Sequence, residues 1–377
     1  MFKHTSLFAA TALFAVSMLS VTAHAAPSYD NEFVFGDSLS DRGNLAETGV
    51  LQGLAGLPTS ANFPNPPSNH DSFTNGPVAV QLLAQSLGLN ADPSLFVTGF
   101  KDVHTLFGGA AYAPGTNYAV AGAVSASALA KGGVTGANLP QQVGAYLGVS
   151  GGKADSNALY VVMIGGNDVR NAALYGTGAA AVTTGVMTEV GEIQSLSAAG
   201  ARNFLVVNVP NVGVIPEFAQ DTPNLAAAAT TYSQQYDAQL SADLAGLSLP
   251  TGTSLDQFDL YSYNTLIADN AAALGFMNTT DRCFTTTPLS AAATPQCGPN
   301  GQSVNSFVYW DSIHPTGPVQ ALWAEGMIET LDGVADPSPI PGAGASAVPE
   351  PATLAVLAAG LLSLAGLRRR PARVRAN

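Results

Sequence analysis

The first stretch of the chain that could carry chemistry is EFVFGDSLSDRGN, residues 32–44. An apolar, strand-like segment ends there in small and polar residues, and Ser38 stands where the chain must turn. Gly36 allows a backbone conformation that a side chain would hinder, and such a strand-to-helix turn can lift a serine hydroxyl clear of the backbone. The stretch is not the G-x-S-x-G elbow, because Ser40 stands where the second glycine would be. Because glycine, aspartate and serine are common turn residues, the stretch alone also fits a plain solvated turn.

A serine is a poor nucleophile without a general base, and histidine is the commonest base. Two of the five histidines belong to an N-terminal leader, which leaves His70, His104 and His314. His314 lies in YWDSIHPTGP, where Asp311 precedes it by three residues and could hold the imidazole tautomer that accepts a serine proton. Pro315 favours an extended backbone at His314 and keeps it off a helix. His70 and His104 are more typical of surface or core histidines, so His314 is the candidate base.

Two glycine-rich segments offer hydrogen-bond donors to an oxyanion, which an acyl-transfer site also requires. Gly122 follows NYAVA and could donate its backbone N–H, and Asn167 in GGND could donate through its side-chain amide. The backbone N–H of Ser38 would be a third donor. Each segment alone is more typical of a plain turn, so the donors form an oxyanion hole only if the fold brings them to one place.

Short runs of β-branched and aromatic residues alternate with longer runs rich in alanine and leucine. Continuous hydrophobicity predicts strands buried on both faces at 32–36, 116–122, 157–166, 202–210 and 254–261. Helices are predicted at 76–88, 138–148, 178–199, 222–246, 261–274 and 317–332. This alternation predicts one α/β domain over residues 27–335, with a parallel sheet and helices on both faces. Ligands bind beyond the carboxyl ends of such strands, where Ser38, Gly122 and Asn167 are expected to stand.

Eight segments resemble, in order, the sequence blocks of the SGNH hydrolases of the GDSL lipase/esterase type. They are FVFGDSLSDRGN, SFTNGPVAVQLLA, NYAVAGA, LPQQVGAYL, YVVMIGGNDV, GARNFLVVNVPNVGVIP, ALGFMNTTDRC and VYWDSIHPT. The resemblance implies a three-layer α/β/α sandwich with a flavodoxin-like parallel sheet of about five strands. It also implies roles for individual residues, namely Ser38 as nucleophile, His314 as general base and acid, Asp311 as its orienting partner, and Ser38, Gly122 and Asn167 as the oxyanion hole. Ala121 departs from the pattern, since relatives often carry a second glycine there.

The activity that the resemblance implies is hydrolysis of a carboxylic ester through an acyl-Ser38 intermediate, with no metal or organic cofactor. FTNGP and GFMNTTDRC resemble the lipase and lecithinase-like branch of this family, and this resemblance implies esters of lipid type. Two alternatives stay open, an SGNH enzyme that deacetylates a polysaccharide and a non-catalytic surface binding protein on the same fold. The segments 45–75 and 278–306, which are rich in Pro, Asn, Thr and Gly, are expected to form the substrate wall.

Both ends of the chain predict export. Residues 1–25 combine Lys3, an apolar run and small residues before a cleavage point near Ala25 or Ala26, which is typical of a signal peptide cut by signal peptidase rather than of a buried first helix. A Pro/Gly/Ala linker at 336–347 precedes residues 348–377, which resemble the PEP-CTERM sorting signal of Gram-negative bacteria. This signal contains VPEP, an apolar segment at 353–367 expected to span a membrane, and a basic tail. It implies processing by an exosortase and delivery to the cell surface or beyond, and an ordinary C-terminal membrane anchor is the alternative.

The charge of the exported body argues against one class of partner. With six of the 13 basic residues in the two terminal signals, seven remain against 26 acidic residues, a net charge of −19. Such a body repels phosphate backbones, so nucleic-acid binding is not expected. Cys283 and Cys297 are too few for a cysteine-based zinc site, and in an oxidising compartment they are candidates for a disulfide that contributes roughly 3 kcal/mol.

Overall fold

The computed structural model describes residues 28–45, 72–94, 115–126, 137–284, 297 and 303–340. The predicted signal peptide at 1–25, the apolar segment at 353–367, His70 and His104 lie outside these residues. Within them, no helix combines the length and the apolar character needed to cross a membrane.

The centre of the fold is a parallel sheet of four regular strands in the order β1-β2-β3-β4. The strands are β1 (Glu32–Gly36), β2 (Leu159–Met163), β3 (Asn203–Val207) and β4 (Ser254–Phe258). Their register aligns Gly36 with Met163, Met163 with Val207, and Val207 with Phe258. All four carboxyl ends therefore lie along one edge of the sheet, as the sequence predicts for a binding site.

The predicted strand at 116–122 is irregular, although it occupies the place beside β1. A single parallel bridge joins Asn117 to Val34, and the Tyr118 N–H donates to the Val34 carbonyl at 2.7 Å. The Val120 N–H donates to the Gly36 carbonyl at 3.1 Å. On its other side Asn117 bridges Pro93, which has no N–H to extend a ladder. The sheet thus has four regular strands and an irregular edge segment, against the prediction of about five strands.

Two layers of helices cover the sheet, and this confirms the predicted α/β sandwich. One face packs α2 (Leu139–Val149), α3 (Gly166–Leu174), α4 (Gly178–Ala199) and α5 (Pro223–Ala245). The opposite face packs α1 (Ala79–Ser86), α6 (Leu260–Asp269) and α7 (Gly317–Leu331). Along β2, Tyr160 and Val162 join the first core while Leu159 and Val161 join the second, because successive strand residues point to opposite faces.

All six predicted helices are present within a few residues of their predicted bounds, but α3 was not predicted. Its sequence GNDVRNAAL was assigned partly to a strand end and partly to a turn. Gly165, with φ +105°, takes the left-handed conformation that glycine adopts readily, and the helix starts at the next residue. Asn167 consequently lies in the first turn of a helix and not in a loop.

A small second sheet leads into the last functional segment. It pairs β5 (Asn278–Arg282) with β6 (Phe307–Tyr309) in parallel. Directly after β5, Cys283 is joined by a disulfide to Cys297, with the two Cα atoms 4.6 Å apart. Phe284, Phe307 and Trp310 pack there into a third apolar cluster. The residue before the 311–314 loop is therefore held in a buried core.

Candidate active site

The turn that carries Ser38 is held at Gly36 by contacts on both sides. A Cβ at Gly36 would lie 2.4 Å from the Met163 carbonyl oxygen, so only glycine fits between β1 and β2 at this point. The Gln142 amide accepts from the Gly36 N–H at 2.8 Å and donates to the Gly36 carbonyl at 2.7 Å. After Gly36 the chain turns sharply, since the Asp37 carbonyl accepts from the N–H groups of Ser40 and Asp41 at 3.1 and 2.9 Å.

The structure brings Ser38, His314 and Asp311 into one chain of hydrogen bonds. Ser38 Oγ lies 2.8 Å from His314 Nε2. His314 Nδ1 lies 2.8 Å from Asp311 Oδ2 and 3.0 Å from Oδ1. With the proton on Nδ1 donated to the carboxylate, Nε2 is free to accept the serine proton. This is the arrangement of nucleophile, base and orienting group that acyl transfer requires.

Backbone hydrogen bonds fix the loop that presents His314. Asp311 Oδ1 accepts from the N–H groups of Ile313 and His314 at 2.8 and 2.7 Å. The Trp310 N–H donates to the His314 carbonyl at 2.8 Å, and Tyr309 bridges Pro315. Asp311 is fully buried, so its carboxylate cannot turn away from the imidazole without losing these donors.

The candidate oxyanion donors lie in segments that hydrogen bonds connect, and of the three residues Ser38 and Asn167 line the cavity described below. Gly122 has φ +81° in a turn closed by a 3.0 Å hydrogen bond from the Ala123 N–H to the Val120 carbonyl, which points to the left-handed position of a type II turn. Asn167 Nδ2 donates to the Ala123 carbonyl at 2.9 Å and keeps a second N–H. Among the described residues, the backbone N–H groups of Ser38 and Gly122 have no protein acceptor. All three donors are therefore available to a ligand.

A buried polar network that was not predicted ties the Ser38 turn to the Gly122 turn. Asp41 accepts the Ala121 N–H at 2.8 Å and also the N–H groups of the residues that follow it, Gly43 at 2.8 Å and Asn44 at 2.7 Å. Asn44 Nδ2 donates to the carbonyls of Asn117 and Ala119, each at 2.8 Å. Ala121 thus keeps its backbone in place through Asp41, although it lacks the glycine of many relatives. The sequence does contain a signal for this network, because Asp41, Asn44 and Asn117 are polar residues close to apolar, strand-like segments.

A second unpredicted network lies behind Asn167. Asp168 Oδ2 accepts from the Ser125 N–H at 2.8 Å, and the Ser125 hydroxyl lies 2.8 Å from the Tyr236 hydroxyl. The Tyr236 hydroxyl donates to Glu189 Oε2 at 2.6 Å. Burial raises the pKa of Asp168 to about 7 against the opposing effect of the backbone donors, and burial raises the pKa of Glu189 well above its usual value. The segment after Gly122 is thereby anchored to α3, α4 and α5.

Asp37, which directly precedes the nucleophile, is also a buried acid. Its Oδ1 accepts from the Leu39 N–H at 3.0 Å. Burial raises the pKa of Asp37 to about 6, while this hydrogen bond and the nearby His314 imidazole oppose the rise. Asp37 therefore shapes the turn through its backbone contacts.

A cavity of about 390 Å³ opens beside Ser38 and runs along the carboxyl ends of the strands. Its walls are mainly apolar and include Leu39, Ile215, Ile267, Val319 and Trp323. Of the predicted substrate wall, Thr279 and Thr280 line the cavity, whereas 46–71, 285–296 and 298–302 lie outside the described residues. Most of the described wall comes instead from residues 210–215, α6 and α7. These elements contribute because their inner faces meet above the sheet edge, which no single segment of the sequence indicates.

An ion pair between Arg170 and Glu217 borders the cavity. Arg170 in α3 lines the cavity, and its Nε donates to Glu217 Oε2 at 2.6 Å. Its Nη2 donates to the other carboxylate oxygen at 2.5 Å. This bidentate pair neutralises the guanidinium, which makes the cavity better suited to an apolar group than to an anion.

Comparison with known proteins adds to this geometry. The family model described as GDSL-like lipase/acylhydrolase matches residues 33–327, and the PEP-CTERM protein-sorting motif matches residues 347–370. A protein named Lipase 1 from Photorhabdus luminescens is 32% identical over 213 residues, which cover 55% of this chain and 27% of the relative. The thermolabile hemolysin of Vibrio parahaemolyticus is 25% identical over 328 residues, covering 82% of this chain and 66% of the relative.

A plant relative matches over most of both chains. A GDSL esterase/lipase of Arabidopsis thaliana is 26% identical over 328 residues, covering 79% of this chain and 88% of the relative. The two bacterial relatives are longer, and this chain spans 27% and 66% of their lengths. The family model, by contrast, covers most of this chain and includes Ser38, Gly122, Asn167 and His314. The protein belongs to the GDSL-like lipase/acylhydrolase family and carries a PEP-CTERM sorting motif at its C-terminus.

Proposed function

We propose that the protein is an exported serine esterase or lipase that hydrolyses carboxylic esters of lipid type through an acyl-serine intermediate. The observation that carries the proposal is the hydrogen-bonded chain from Ser38 Oγ through His314 to Asp311, at the wall of an apolar cavity. Family membership and the names of the relatives, a lipase, a hemolysin and an esterase/lipase, support the same class of reaction.

In the first half of the reaction, Ser38 Oγ attacks the ester carbonyl carbon while His314 Nε2 takes the serine proton. Asp311 stabilises the resulting imidazolium and keeps its Nδ1–H directed at the carboxylate. The carbonyl oxygen becomes an oxyanion, which accepts hydrogen bonds from the N–H groups of Ser38 and Gly122 and from Asn167 Nδ2. The tetrahedral intermediate then collapses, the alcohol leaves with the proton from His314, and the acyl group stays on Ser38.

Water completes the cycle by the same route. His314 Nε2 removes a proton from a water molecule that attacks the acyl carbon, and the proton returns to Ser38 Oγ when the acid is released. The steps in this sequence use protein groups and water.

The lining of the cavity favours an acyl lipid over an acetylated sugar. A sugar site needs exposed hydrogen-bond partners for several hydroxyl groups, whereas apolar side chains dominate the described wall. Arg170 lines the cavity but is held by Glu217. Deacetylation of a polysaccharide remains the competing activity, because the sorting motif directs such a protein towards extracellular polymer.

The location and processing partners follow from the two ends of the chain. We propose that signal peptidase removes residues 1–25 and that an exosortase acts at the sorting signal 348–377. The hydrolase domain of residues 27–335 is then released or anchored at the surface of a Gram-negative cell. The match of the PEP-CTERM motif to residues 347–370 supports this sorting.

A substrate panel tests the proposed function. The purified protein is assayed on aryl esters of graded acyl length, on phospholipids and on acetylated sugars, beside Ser38→Ala as the inactive control. We expect turnover of acyl esters, a loss of at least about a thousandfold in Ser38→Ala, and labelling of Ser38 by a fluorophosphonate probe. Turnover confined to acetylated sugars would replace the lipase assignment with deacetylation. A protein that neither reacts with the probe nor cleaves any ester would be a binding protein on this fold.

A further inference from the structure

One side of the cavity is a stripe of α7 that begins next to the general base. Pro315, Val319 and Trp323 all line the cavity. Val319 and Trp323 are four residues apart in α7, so they lie on one helix face, separated by roughly 6 Å along the axis. Pro315 directly follows His314. The stripe therefore leads away from the catalytic histidine along the helix.

The opposite side is the matching face of α6. Tyr261, Asn264, Thr265 and Ala268 line the cavity at the spacing of three and four residues that places side chains on one helix face. Ile267 adds an apolar contact from the buried edge of this helix and is only 1% exposed. The two helices thus form a cleft that starts at the serine and is bounded mainly by apolar groups.

On the α7 side, the cleft ends at Trp323. Trp323 Nε1 donates to Asn264 Oδ1 at 2.6 Å, and the Tyr263 hydroxyl donates to the Leu322 carbonyl at 2.8 Å. One turn beyond Trp323, a Cβ at Gly326 would lie 2.7 Å from ring atoms of Phe258. The Phe258 ring therefore packs directly against α7, and no space continues past the indole along this face.

We infer that the cleft between α6 and α7 binds the acyl chain of the ester, and that the Trp323–Asn264 pair sets the greatest chain length. The inference depends on the proposed esterase function. The charged residues of the described wall, Asp37 and Arg170, belong to the Ser38 turn and to α3, not to this cleft. The indole of Trp323 lines the cavity at this end, with its N–H bonded to Asn264 Oδ1, and it gives the terminal methyl group an apolar contact. Medium-length chains fit between His314 and Trp323, and longer chains meet the indole.

Two opposing substitutions test the assignment. Trp323→Ala removes the stop, and we expect the ratio of kcat/KM for p-nitrophenyl palmitate over p-nitrophenyl octanoate to rise about tenfold or more. Val319→Phe fills the cleft near His314, and we expect the ratio of kcat/KM for p-nitrophenyl octanoate over p-nitrophenyl butyrate to fall about tenfold or more. Trp323→Phe keeps most of the side-chain volume but loses the hydrogen bond to Asn264. It serves as the second test variant if Trp323→Ala does not fold. Leu240→Ala on α5 is the matched control, because it removes a fully buried side chain on the other face of the sheet.

A binding readout that does not depend on turnover accompanies the assays. Trp310 and Trp323 are the two tryptophans of the chain, and Trp323 alone lines the cavity. In the Ser38→Ala protein, titration with methyl octanoate is expected to change the tryptophan fluorescence. The same titration in Ser38→Ala/Trp323→Phe is expected to give little change.

The outcomes separate the inference from the proposed function. A shift towards palmitate in a Trp323 variant, with Leu240→Ala keeping the wild-type preference, supports the inference. Ester turnover with an unchanged length preference in both Trp323 variants and in Val319→Phe overturns the inference and leaves the esterase function intact. If the wild type cleaves no ester of any length, and methyl octanoate leaves the fluorescence unchanged, both are overturned together.

Discussion

The orientation of the Asp311 carboxylate makes Asp311→Asn a sharp test of the catalytic assignment. Oδ1 accepts two backbone N–H groups, from Ile313 at 2.8 Å and from His314 at 2.7 Å. An asparagine must keep its oxygen in this position, because its NH₂ group would otherwise point at two donors. The NH₂ group then occupies the position of Oδ2, which lies 2.8 Å from His314 Nδ1.

This geometry favours the wrong tautomer of His314, because the nearer of the two carboxylate positions, at 2.8 Å from Nδ1, becomes a donor, while the retained oxygen lies at 3.0 Å. An NH₂ group next to Nδ1 requires Nδ1 to accept, so the ring proton moves to Nε2 and Nε2 can no longer take the proton from Ser38. We expect kcat to fall by about 10⁴-fold, equivalent to about 5 kcal/mol in the activation free energy. KM for a short-chain ester should change little, because Asp311 does not line the cavity.

The measurement is steady-state hydrolysis of p-nitrophenyl butyrate at neutral pH, with thermal unfolding to show that the variant is folded. Asp30→Asn is the control, since this exposed aspartate precedes β1 at the opposite end of the sheet. A folded Asp311→Asn protein with kcat within tenfold of the wild type would refute the assignment of Asp311 as the group that selects the tautomer.

Three further predictions concern the surroundings of the triad. Asn167→Ala should lower kcat by about a hundredfold or more through loss of one oxyanion donor, and unchanged hydrolysis of p-nitrophenyl butyrate would remove Asn167 from the site. Gly36→Ala should destabilise the fold by about 2 kcal/mol, because its Cβ meets the Met163 carbonyl at 2.4 Å, whereas Gly144→Ala in open space on α2 should be neutral or stabilising in denaturant titrations. Because the folded pKa of Asp168, about 7, is above the unfolded value of 3.8, the contribution of this group is fully present below about pH 4 and is lost as the pH rises towards 7. Asp168 alone should lower the free energy of unfolding by up to roughly 1.4 kcal/mol per pH unit in that window, so Asp168→Asn should reduce the total slope by this amount, and an unchanged slope would contradict the prediction.

The regular elements of the fold were largely predictable because their signals are local. Continuous apolar runs such as LYVVM in β2 mark strands buried on both faces, and the long alanine-rich runs mark helices. The segment 116–122 was predicted as a strand for the same reason, yet the polar side chain of Asn117 bonds to backbone groups of Ser40 and Ala119, and the segment forms only an isolated bridge on each side, to Val34 and to Pro93. Helix α3 was missed because its start depends on the left-handed Gly165, whose conformation the sequence does not reveal.

The candidate site residues were chosen from chemistry that sequence spacing can express. A carboxylate three residues before a histidine, ahead of a proline, indicates a base with its orienting partner. The partners of Asp41, Gln142 and Asp168 were not predictable, because each bonds to backbone groups more than 40 residues away in the chain. Buried polar groups must be satisfied, but the fold alone decides which groups meet.

The sequence by itself determined the class of chemistry, the order of strands and helices, and the C-terminal sorting motif, because these depend on residue types at short spacing. The tertiary structure decided where the substrate can lie. The wall was expected in two loops, whereas much of its described part is the facing stripes of α6 and α7 with the Trp323–Asn264 bond at the end. Those helices begin nearly 60 residues apart. Only the packing of both helices against the same face of the sheet brings their separate cavity-lining faces to one cavity.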